Sequence, residues 1–220
     1  MKKLLIAVII LMSTIIYAEE VKMPKVFELD GFEDGIISEE PAWWTFGDIN
    51  AIPVSTQIYK GDPMQAYLGK YSLSLKGSTK DWYVGGLGTY VGIDASRYTH
   101  LKMFIYGNGP KSGKLTIQLY DDDNKNFILE QDVEKDYEPI FDDKIEFSQT
   151  VSWKGWKVIL VPLANFKDVN PTVGDNKLNL DQKDGSGGLL HFQIIVLADD
   201  KEGTVDMAID DIKLIDMVGE

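Results

Sequence analysis

The feature that most constrains the fold is the alternation of apolar and polar side chains in several short segments. A period of two residues is typical of a β-strand with one buried face. The clearest apolar sets are Tyr71/Leu73/Leu75, Leu101/Met103/Ile105, Leu115/Ile117/Leu119 and Leu190/Phe192/Ile194/Val196. Further strands are predicted at Lys25–Leu29, Trp82–Val84, Phe127–Leu129, Lys144–Phe147, Trp156–Val161 and Thr204–Ile215. Almost no stretch has helical spacing, so the pattern predicts an all-β fold of about ten strands rather than a helix-covered parallel sheet.

Glycine, aspartate and asparagine separate these segments, and short strands between turns favour an antiparallel β-sandwich or barrel. We interpret Gly85–Gly88 as a strand-breaking turn, and residues Pro41–Leu68 and Asn165–Gly188 as long ordered loops. Asp121–Asn124 lacks the glycine and the distal glutamate of an EF-hand loop, so a solvated hairpin turn is the better interpretation.

The first residues have the pattern of an export signal. Met1-Lys2-Lys3 precedes the apolar run Leu4–Ile16, and Ala18 precedes acidic sequence. The run is shorter than the roughly 20 residues of a membrane-spanning helix, although an uncleaved anchor is the alternative. We expect residues 1–18 to be a signal peptide and residues 19–220 to be a single secreted, periplasmic or extracellular domain without stable membrane insertion.

Composition excludes several functions. The formal net charge is −13, which disfavours nucleic acid as a partner. The absence of cysteine excludes disulfides and thiol catalysis. There is no Gly-x-Ser-x-Gly, His-Glu-x-x-His or phosphate-loop motif, and Glu130 with Glu146 is the least implausible catalytic pair. We expect no catalytic residues and no enzymatic activity.

The polar faces of three predicted strands suggest a ligand surface. They carry rings beside hydrogen-bonding groups, and this mixture suits a polar ligand such as a glycan, provided that the strands are neighbours. The candidate ligand-binding residues are Lys102, Tyr106, Gln118, Tyr120, His191 and Gln193. An ordinary solvated sheet face is the alternative. Among the tryptophans, Trp156 is expected in the core, while Trp43 and Trp44 could be core or surface residues.

The alternation changes parity at Asp210-Asp211, which predicts a β-bulge in the last strand. Adjacent carboxylates are costly unless a cation or hydrogen-bond donors compensate them. Calcium prefers such oxygen ligands, and Asp30, Glu33 and Asp34 could contribute if the first and last strands meet. The alternative is that one aspartate is solvated and the other caps a turn.

Several motifs occur in an order that resembles a known family. They are Asp30–Gly35, Gly69–Leu73, Gly85–Gly88, Trp156-Lys157 with Pro162-Leu163, and Ile209–Ile212. In that order they resemble the galactose-binding-like jelly-roll domains, especially carbohydrate-binding modules of family 11. The resemblance implies a two-sheet jelly-roll β-sandwich with a concave ligand face for a poly- or oligosaccharide.

The same resemblance implies a structural Ca²⁺. Its ligands would be Glu33 or Asp30, the backbone carbonyl of Lys70, and Asp211. Such modules are normally attached to a catalytic domain, and residues 1–220 contain none. The alternative function is therefore a structural or interaction protein of the cell envelope or of a surface filament, with the same fold and no glycan ligand.

Overall fold

The structure, a computed structural model, describes residues 25–217. This range contains β-strands, four short 3-10 turns and no α-helix. The strands are β1 (Val26–Asp30), β2 (Trp43–Gly47), β3 (Asn50–Ser55), β4 (Tyr71–Thr79), β5 (Tyr83–Ile93), β6 (His100–Asn108), β7 (Gly113–Asp122), β8 (Gln131–Asp132), β9 (Glu138–Pro139), β10 (Asp143–Val151), β11 (Lys154–Pro162), β12 (Lys167–Asp168), β13 (Gly188–Leu197) and β14 (Gly203–Ile215).

The strands form two six-stranded antiparallel sheets. Sheet A has the order β11-β6-β14-β4-β3, with β1 also paired to β14. Sheet B has the order β12-β10-β7-β13-β5-β2, and β8 pairs separately with β9. The predicted all-β sandwich is therefore confirmed for the part of the chain that is described.

One hydrophobic core lies between the two sheets. The alternating apolar residues of β6 and β7 point into it and are inaccessible to solvent. In β4 and β13 the same holds, to within 1% exposure, for Leu73, Leu75, Phe192, Ile194 and Val196, whereas Tyr71 is half-buried outside this core. Full burial of each such side chain stabilises the fold by about 1.5–3 kcal/mol. The period-two pattern therefore predicts the inward face of β6 and β7 and of most of β4 and β13, and it leaves the polar positions of these strands on the two outer faces.

Three predictions about local structure are wrong. Residues 41–68 are expected to form a long ordered loop because their aromatic sequence lacks clear alternation, but they contain β2 and β3. Gly85–Gly88 lies inside β5 rather than in a turn, and Phe127–Leu129 is not a strand. The predicted loop 165–188 is irregular except for β12 and the first residue of β13.

The segment between β3 and β4 covers part of the outer face of sheet A. It contains two 3-10 turns, Thr56–Tyr59 and Gln65–Tyr67. Leu68 and Tyr59 from this segment pack on Trp156 of β11, which forms a second, smaller hydrophobic cluster. Trp156 is thus buried, but on the outer side of sheet A and not between the sheets.

Within residues 25–217, no helix is long and apolar enough to cross a membrane. The predicted signal peptide, residues 1–18, lies outside the described residues. Its cleavage and the domain limits 19–220 stay predictions.

Candidate functional site

The structure divides the predicted ligand-binding residues between two surfaces. β7 and β13 are neighbours, so Gln118, Tyr120, His191 and Gln193 share the outer face of sheet B. Their register partners are Gln118 with Gln193 and Tyr120 with His191. Lys102 and Tyr106 lie on β6, in sheet A. The single continuous surface assumed from the sequence is therefore wrong, because β6 and β7 follow one another in the chain but belong to opposite sheets.

Lys102 and Tyr106 are engaged elsewhere. The Tyr106 ring lies 4.5 Å from that of Tyr59 and 5.4 Å from that of Trp156, inside the small cluster on sheet A. Lys102 Nζ lies 2.7 Å from Asp211 Oδ2. Both side chains are held by protein contacts and lie on the side of the molecule opposite to His191.

A row of hydrogen bonds crosses the outer face of sheet B. Gln118 Nε2 donates to Glu146 Oε1 at 2.6 Å, and the Tyr120 hydroxyl donates to Gln118 Oε1 at 3.0 Å. Burial, together with the charges of Glu138 and Glu146, raises the pKa of Tyr120, so its hydroxyl stays protonated. Gln118 and Tyr120 are buried, so they form the floor of this surface and orient Glu146.

Aromatic rings surround His191 on the same face. Ring centroids lie 5.3 Å away for Trp44, 5.7 Å for Tyr90 and 6.4 Å for Tyr120. Trp44 is 38% exposed and Tyr90 is 49% exposed, so these two rings present apolar surface to solvent. Burial lowers the pKa of His191 to about 4, which keeps the imidazole neutral at pH 7, and its Nδ1 has no hydrogen-bond partner within residues 25–217.

Two glycines of β5 make room for the rings of β2. A Cβ atom at Gly88 would lie 2.7 Å from a Trp44 ring atom, and one at Gly86 would lie 2.6 Å from the Phe46 ring. In register, Trp44 lies opposite Gly88 and Phe46 lies opposite Gly86. The glycines interpreted as a turn therefore let Trp44 and Phe46 lie close over the sheet.

The sequence pattern does not identify Tyr90 as a site residue, and it does not decide whether Trp44 faces the core or the solvent. Trp43 and Trp44 take opposite faces: Trp43 is buried and donates from Nε1 to Asp30, whereas Trp44 points outward. The sequence does contain one indication that Trp44 lies on the outer face, namely the glycines at alternate positions 86 and 88. Alternate glycines are typical of a strand that large side chains of a neighbouring strand cover. That indication is weak without knowledge of the pairing of β2 with β5.

The first and last strands meet, as predicted. β1 pairs with β14, and the register of β14 against β6 shifts between Asp210 and Lys213, which confirms the β-bulge. Asp211 has a left-handed φ of 51°. Asp and Asn tolerate this conformation better than most residues.

The residues predicted to hold calcium have protein donors of their own. Asp30 accepts from the backbone N–H of Phe32 and from Trp43 Nε1, at 2.6 and 2.7 Å. Glu33 Oε2 accepts from the backbone N–H of Lys70 at 2.8 Å, and the Lys70 carbonyl accepts from the Thr56 N–H at 2.9 Å. These contacts bring the loops after β1 and before β4 together.

The Asp211 carboxylate contacts the ammonium groups of Lys102 and Lys213, while its backbone N–H donates to Asp210 Oδ1 at 2.7 Å. Burial opposes its ionisation, but these two ammonium groups outweigh burial and hold the pKa of Asp211 below its ordinary value. Its neighbour Asp210 has a buried Oδ2 without a partner. Burial, with the charges of Asp211, Glu33 and Asp30, raises the pKa of Asp210 to about 7. Asp210 is therefore the residue of the pair that shares the surroundings of Glu33 and Asp30.

A separate group of carboxylates lies at one end of sheet B. One oxygen atom each of Asp121, Asp123 and Asp143 lies within 4.8 Å of the others, so this group could hold a metal ion. Burial, with neighbouring acidic charges, raises the pKa of Asp121 to about 8 and that of Asp143 to about 6. The interpretation of Asp121–Asn124 as a solvated hairpin turn is wrong, because Asp121 and Asp122 are fully buried at the end of β7.

No protein-family model matches the chain, and no curated protein matches it. Solved structures of carbohydrate-binding modules from Clostridium thermocellum do match. The family 11 module of the cellulosomal cellulase Lic26A-Cel5E is 16% identical with a TM-score of 0.56, over 90% of this chain and 99% of that chain. A family 11 module in complex with a β-1,3-1,4-mixed-linked tetrasaccharide is 18% identical with a TM-score of 0.55, over 86% and 94%. A solution structure of CtCBM11 is 17% identical with a TM-score of 0.51, over 91% and 100%.

These matches confirm the resemblance stated from the order of the sequence motifs. At such identities they concern the fold: this chain has the β-sandwich of family 11 carbohydrate-binding modules over most of its length.

Proposed function

We propose that this chain is a non-catalytic carbohydrate-binding protein and that its ligand surface is the outer face of sheet B around His191. The single observation that carries the proposal is the pair of exposed rings, Trp44 and Tyr90, that flank His191. Rings of this kind stack on the apolar C–H faces of sugars, while neighbouring polar groups bond the hydroxyls. The likeness in fold to carbohydrate-binding modules supports the same class of ligand.

The polar part of the proposed surface lies beside the rings. Gln193 is buried in the floor of this surface like Gln118, but its side chain makes no hydrogen bond within residues 25–217, which leaves its amide groups for a ligand that reaches between the rings. Glu146 accepts from Gln118 through one oxygen, and its other oxygen can accept from a sugar hydroxyl. Gln118 and Tyr120 would act through Glu146, as positioning residues. The two residues on sheet A, Lys102 and Tyr106, have no part in this proposal.

Calorimetry of the purified protein against soluble glucans, xylans and mannans tests the proposal. A mixed-linkage β-1,3-1,4-glucan belongs in the panel because a neighbour in fold is described in complex with such a tetrasaccharide. We expect Tyr90→Ala to weaken binding at least tenfold, because a stacked ring in a sugar complex contributes about 1.4 kcal/mol or more.

Tyr83→Ala is the matched control. Tyr83 lies at the other end of the same strand β5 and is 46% exposed, against 49% for Tyr90. Its replacement should leave glycan affinity unchanged. Absence of binding to every polysaccharide in the panel, or equal losses in both variants, would remove the proposal.

A second candidate function is interaction with another protein of the cell envelope, through the segment between β7 and β10. This segment carries six large apolar or aromatic side chains that are each at least 40% exposed: Phe127, Ile128, Val133, Tyr137, Ile140 and Phe141. Exposed apolar surface of this kind marks protein interfaces. Recovery of the protein in isolated envelopes, lost in Ile128→Ser but retained in the control Ile52→Ser, would favour this function. A strictly monomeric protein absent from envelopes would count against it.

We also propose that the protein acts outside the cytoplasm. The support is the signal-peptide pattern of residues 1–18. An extracellular or periplasmic location suits both candidate functions, since their partners would be a polysaccharide or an envelope component.

A further inference from the structure

The carboxylate group of Asp121, Asp123 and Asp143 joins two separate parts of the chain, the end of β7 and the start of β10. Asp121 lies near the end of β7 and is the register partner of Asp143, the first residue of β10. Asp123 follows β7, and its Oδ2 accepts from the backbone N–H of Asp143 at 3.0 Å. Asp121 and Asp143 have no solvent-accessible surface. Two ionisable groups are thus buried side by side, within 4.8 Å of a third.

Both buried carboxylates have an oxygen atom that no donor among residues 25–217 reaches. Asp121 Oδ2 accepts from the backbone N–H of Asn179 at 2.6 Å, and Asp143 Oδ2 accepts from that of Lys177 at 3.0 Å. The Oδ1 atoms of Asp121 and Asp143 are buried without a hydrogen-bond partner. A buried acceptor without a partner is destabilising, and more so when it is charged. Compensation by an additional group is therefore favoured at this point.

The described part of the chain does not supply that compensation as a basic side chain. None of the ion pairs among the described residues involves Asp121, Asp123 or Asp143. Lys177, whose backbone donates to Asp143, has its ammonium group 3.5 Å from Asp175. Further negative charge comes from Asp168 and Asp175, which act on Asp143. A buried cluster of carboxylates without basic partners has to be neutralised, either by protons or by a bound cation.

The loop before β13 lies directly against one of the unpartnered oxygens, Asp143 Oδ1. A Cβ atom at Gly174 would lie 2.3 Å from Asp143 Oδ1 and 2.3 Å from Asp123 Oδ2. Gly174 has a φ of 67°, a conformation that glycine adopts without strain. A side chain at position 174 would occupy the space beside these two oxygen atoms, and glycine leaves that space free.

We propose that Asp121, Asp123 and Asp143 bind a divalent cation, Ca²⁺, that holds loop 169–187 against the ends of β7 and β10. All three side chains offer oxygen, the donor that Ca²⁺ prefers, and no cysteine exists in the chain to favour a softer metal. Ca²⁺ takes six to eight oxygen ligands in flexible geometry, which suits carboxylates supplied by separate segments. This site is distinct from the one predicted at Asp30, Glu33, Lys70 and Asp211.

Thermal unfolding of the purified full chain, stripped with EDTA and titrated with CaCl₂, tests this site. A cation that binds only the folded state should raise the midpoint by about 5–10 °C at one hundred times its Kd. Asp143→Asn keeps the shape of the side chain but removes the negative charge of the carboxylate. We expect the metal-free variant to be at least as stable as the metal-free wild type, and its midpoint to respond little to Ca²⁺.

Asp210→Asn is the matched control, since Asp210 is also a buried aspartate with an unpartnered oxygen but lies in sheet A. It should retain the Ca²⁺ response that depends on Asp143. Asp123→Asn, at the more exposed ligand, provides a second variant if Asp143→Asn does not fold. Limited proteolysis should show Ca²⁺-dependent protection within residues 169–187.

Three outcomes would overturn the proposal. One is the absence of any Ca²⁺ response in the stripped wild type. Another is an unchanged Ca²⁺ response in both Asp143→Asn and Asp123→Asn, which would place the ion elsewhere. The third is a larger response to Mg²⁺ than to Ca²⁺ at equal concentration, which would overturn the identity of the ion.

Discussion

His191 is a single residue whose protonation connects the stability of the fold with the proposed ligand surface. Its ring lies among those of Trp44, Tyr90 and Tyr120, and its Nδ1 has no hydrogen-bond partner. Protonation would place a charge in this desolvated position without a carboxylate to receive it. Burial therefore lowers the pKa of His191 to about 4 in the folded chain, against about 6.5 for an ordinary histidine.

This pKa difference predicts a loss of stability in mild acid. Between pH 6.5 and pH 4 the unfolded chain takes up a proton at His191 that the folded chain does not, so stability falls as the pH falls. From pH 7 to pH 5 the contribution is about 1–2 kcal/mol, because a tenfold change in proton affinity is worth about 1.4 kcal/mol. We expect His191→Gln to remove this part of the acid sensitivity in urea unfolding at the two pH values.

His100→Gln is the control, since His100 is the other histidine of the chain and lies in sheet A. The acid sensitivity is assigned to position 191 if His191→Gln reduces it more than His100→Gln does. A wild-type slope that persists in His191→Gln would show that other groups carry the acid sensitivity.

Within a single element, the bulge in β14 changes which side chains of the strand face the core. At the change of parity, Asp211 adopts a left-handed conformation and its carboxylate lies between the ammonium groups of Lys102 and Lys213, at 2.7 and 2.6 Å. These side chains come from two neighbouring strands. The pair of contacts therefore fixes the bulge against β6 and compensates a charge that burial would otherwise destabilise.

We predict that Asp211→Asn lowers the free energy of unfolding by about 1–2 kcal/mol at low salt, and by less in 1 M NaCl, where charges are screened. Asparagine keeps the tolerance for a left-handed φ, so the change tests the charge and not the backbone. Asp206→Asn, in the same strand, is the matched control: its pair with Lys76 is about half exposed and should contribute close to nothing. Equal effects of the two substitutions in urea unfolding would contradict the prediction.

Strand pairing also explains which element predictions failed. The Gly85–Gly88 segment resembles a turn when it is considered alone, yet it is the middle of β5. Its glycines are compatible with a strand because Trp44 and Phe46 of β2 cover them. A strand that is covered by its neighbour's side chains has no local pattern of its own. The neighbouring strand β2 also lacks clear alternation, so its sequence does not predict a strand either.

At the scale of the whole molecule, the two outer faces of the sandwich differ in how far other segments cover them. The outer face of sheet A is covered in part by the segment between β3 and β4, which buries Trp156 and packs on Tyr106. The outer face of sheet B keeps two exposed rings beside polar groups. The proposed ligand surface therefore lies on one side of the molecule only.

The whole-molecule prediction concerns the exported form. We expect mass spectrometry of the protein from its native cells to give an N-terminus at Glu19, because the apolar run is too short to remain as a membrane-spanning helix. Removal of Lys2 and Lys3 would make the net charge of −13 more negative by two. Detection of Met1 in a membrane-bound form would instead establish the uncleaved anchor.

The sequence by itself determined the fold class, the inward face of most strands, the bulge at Asp210-Asp211 and the resemblance to family 11 modules. Period-two burial is a local property, so residues such as Leu115, Ile117 and Leu119 reveal it without knowledge of their partners. The bulge is visible for the same reason, since a change of parity within one strand is also local.

Only the tertiary structure decided which strands are neighbours, and with them the composition of each site. β6 and β7 are adjacent in the chain yet lie in opposite sheets. Lys102 and Tyr106 therefore do not belong to the surface that is formed by Gln118, Tyr120, His191 and Gln193. Asp121 and Asp143 are separated by a long segment and meet only through strand pairing. Pairing depends on the closure of loops and the filling of a common core, and neither is encoded in the periodicity of any single strand.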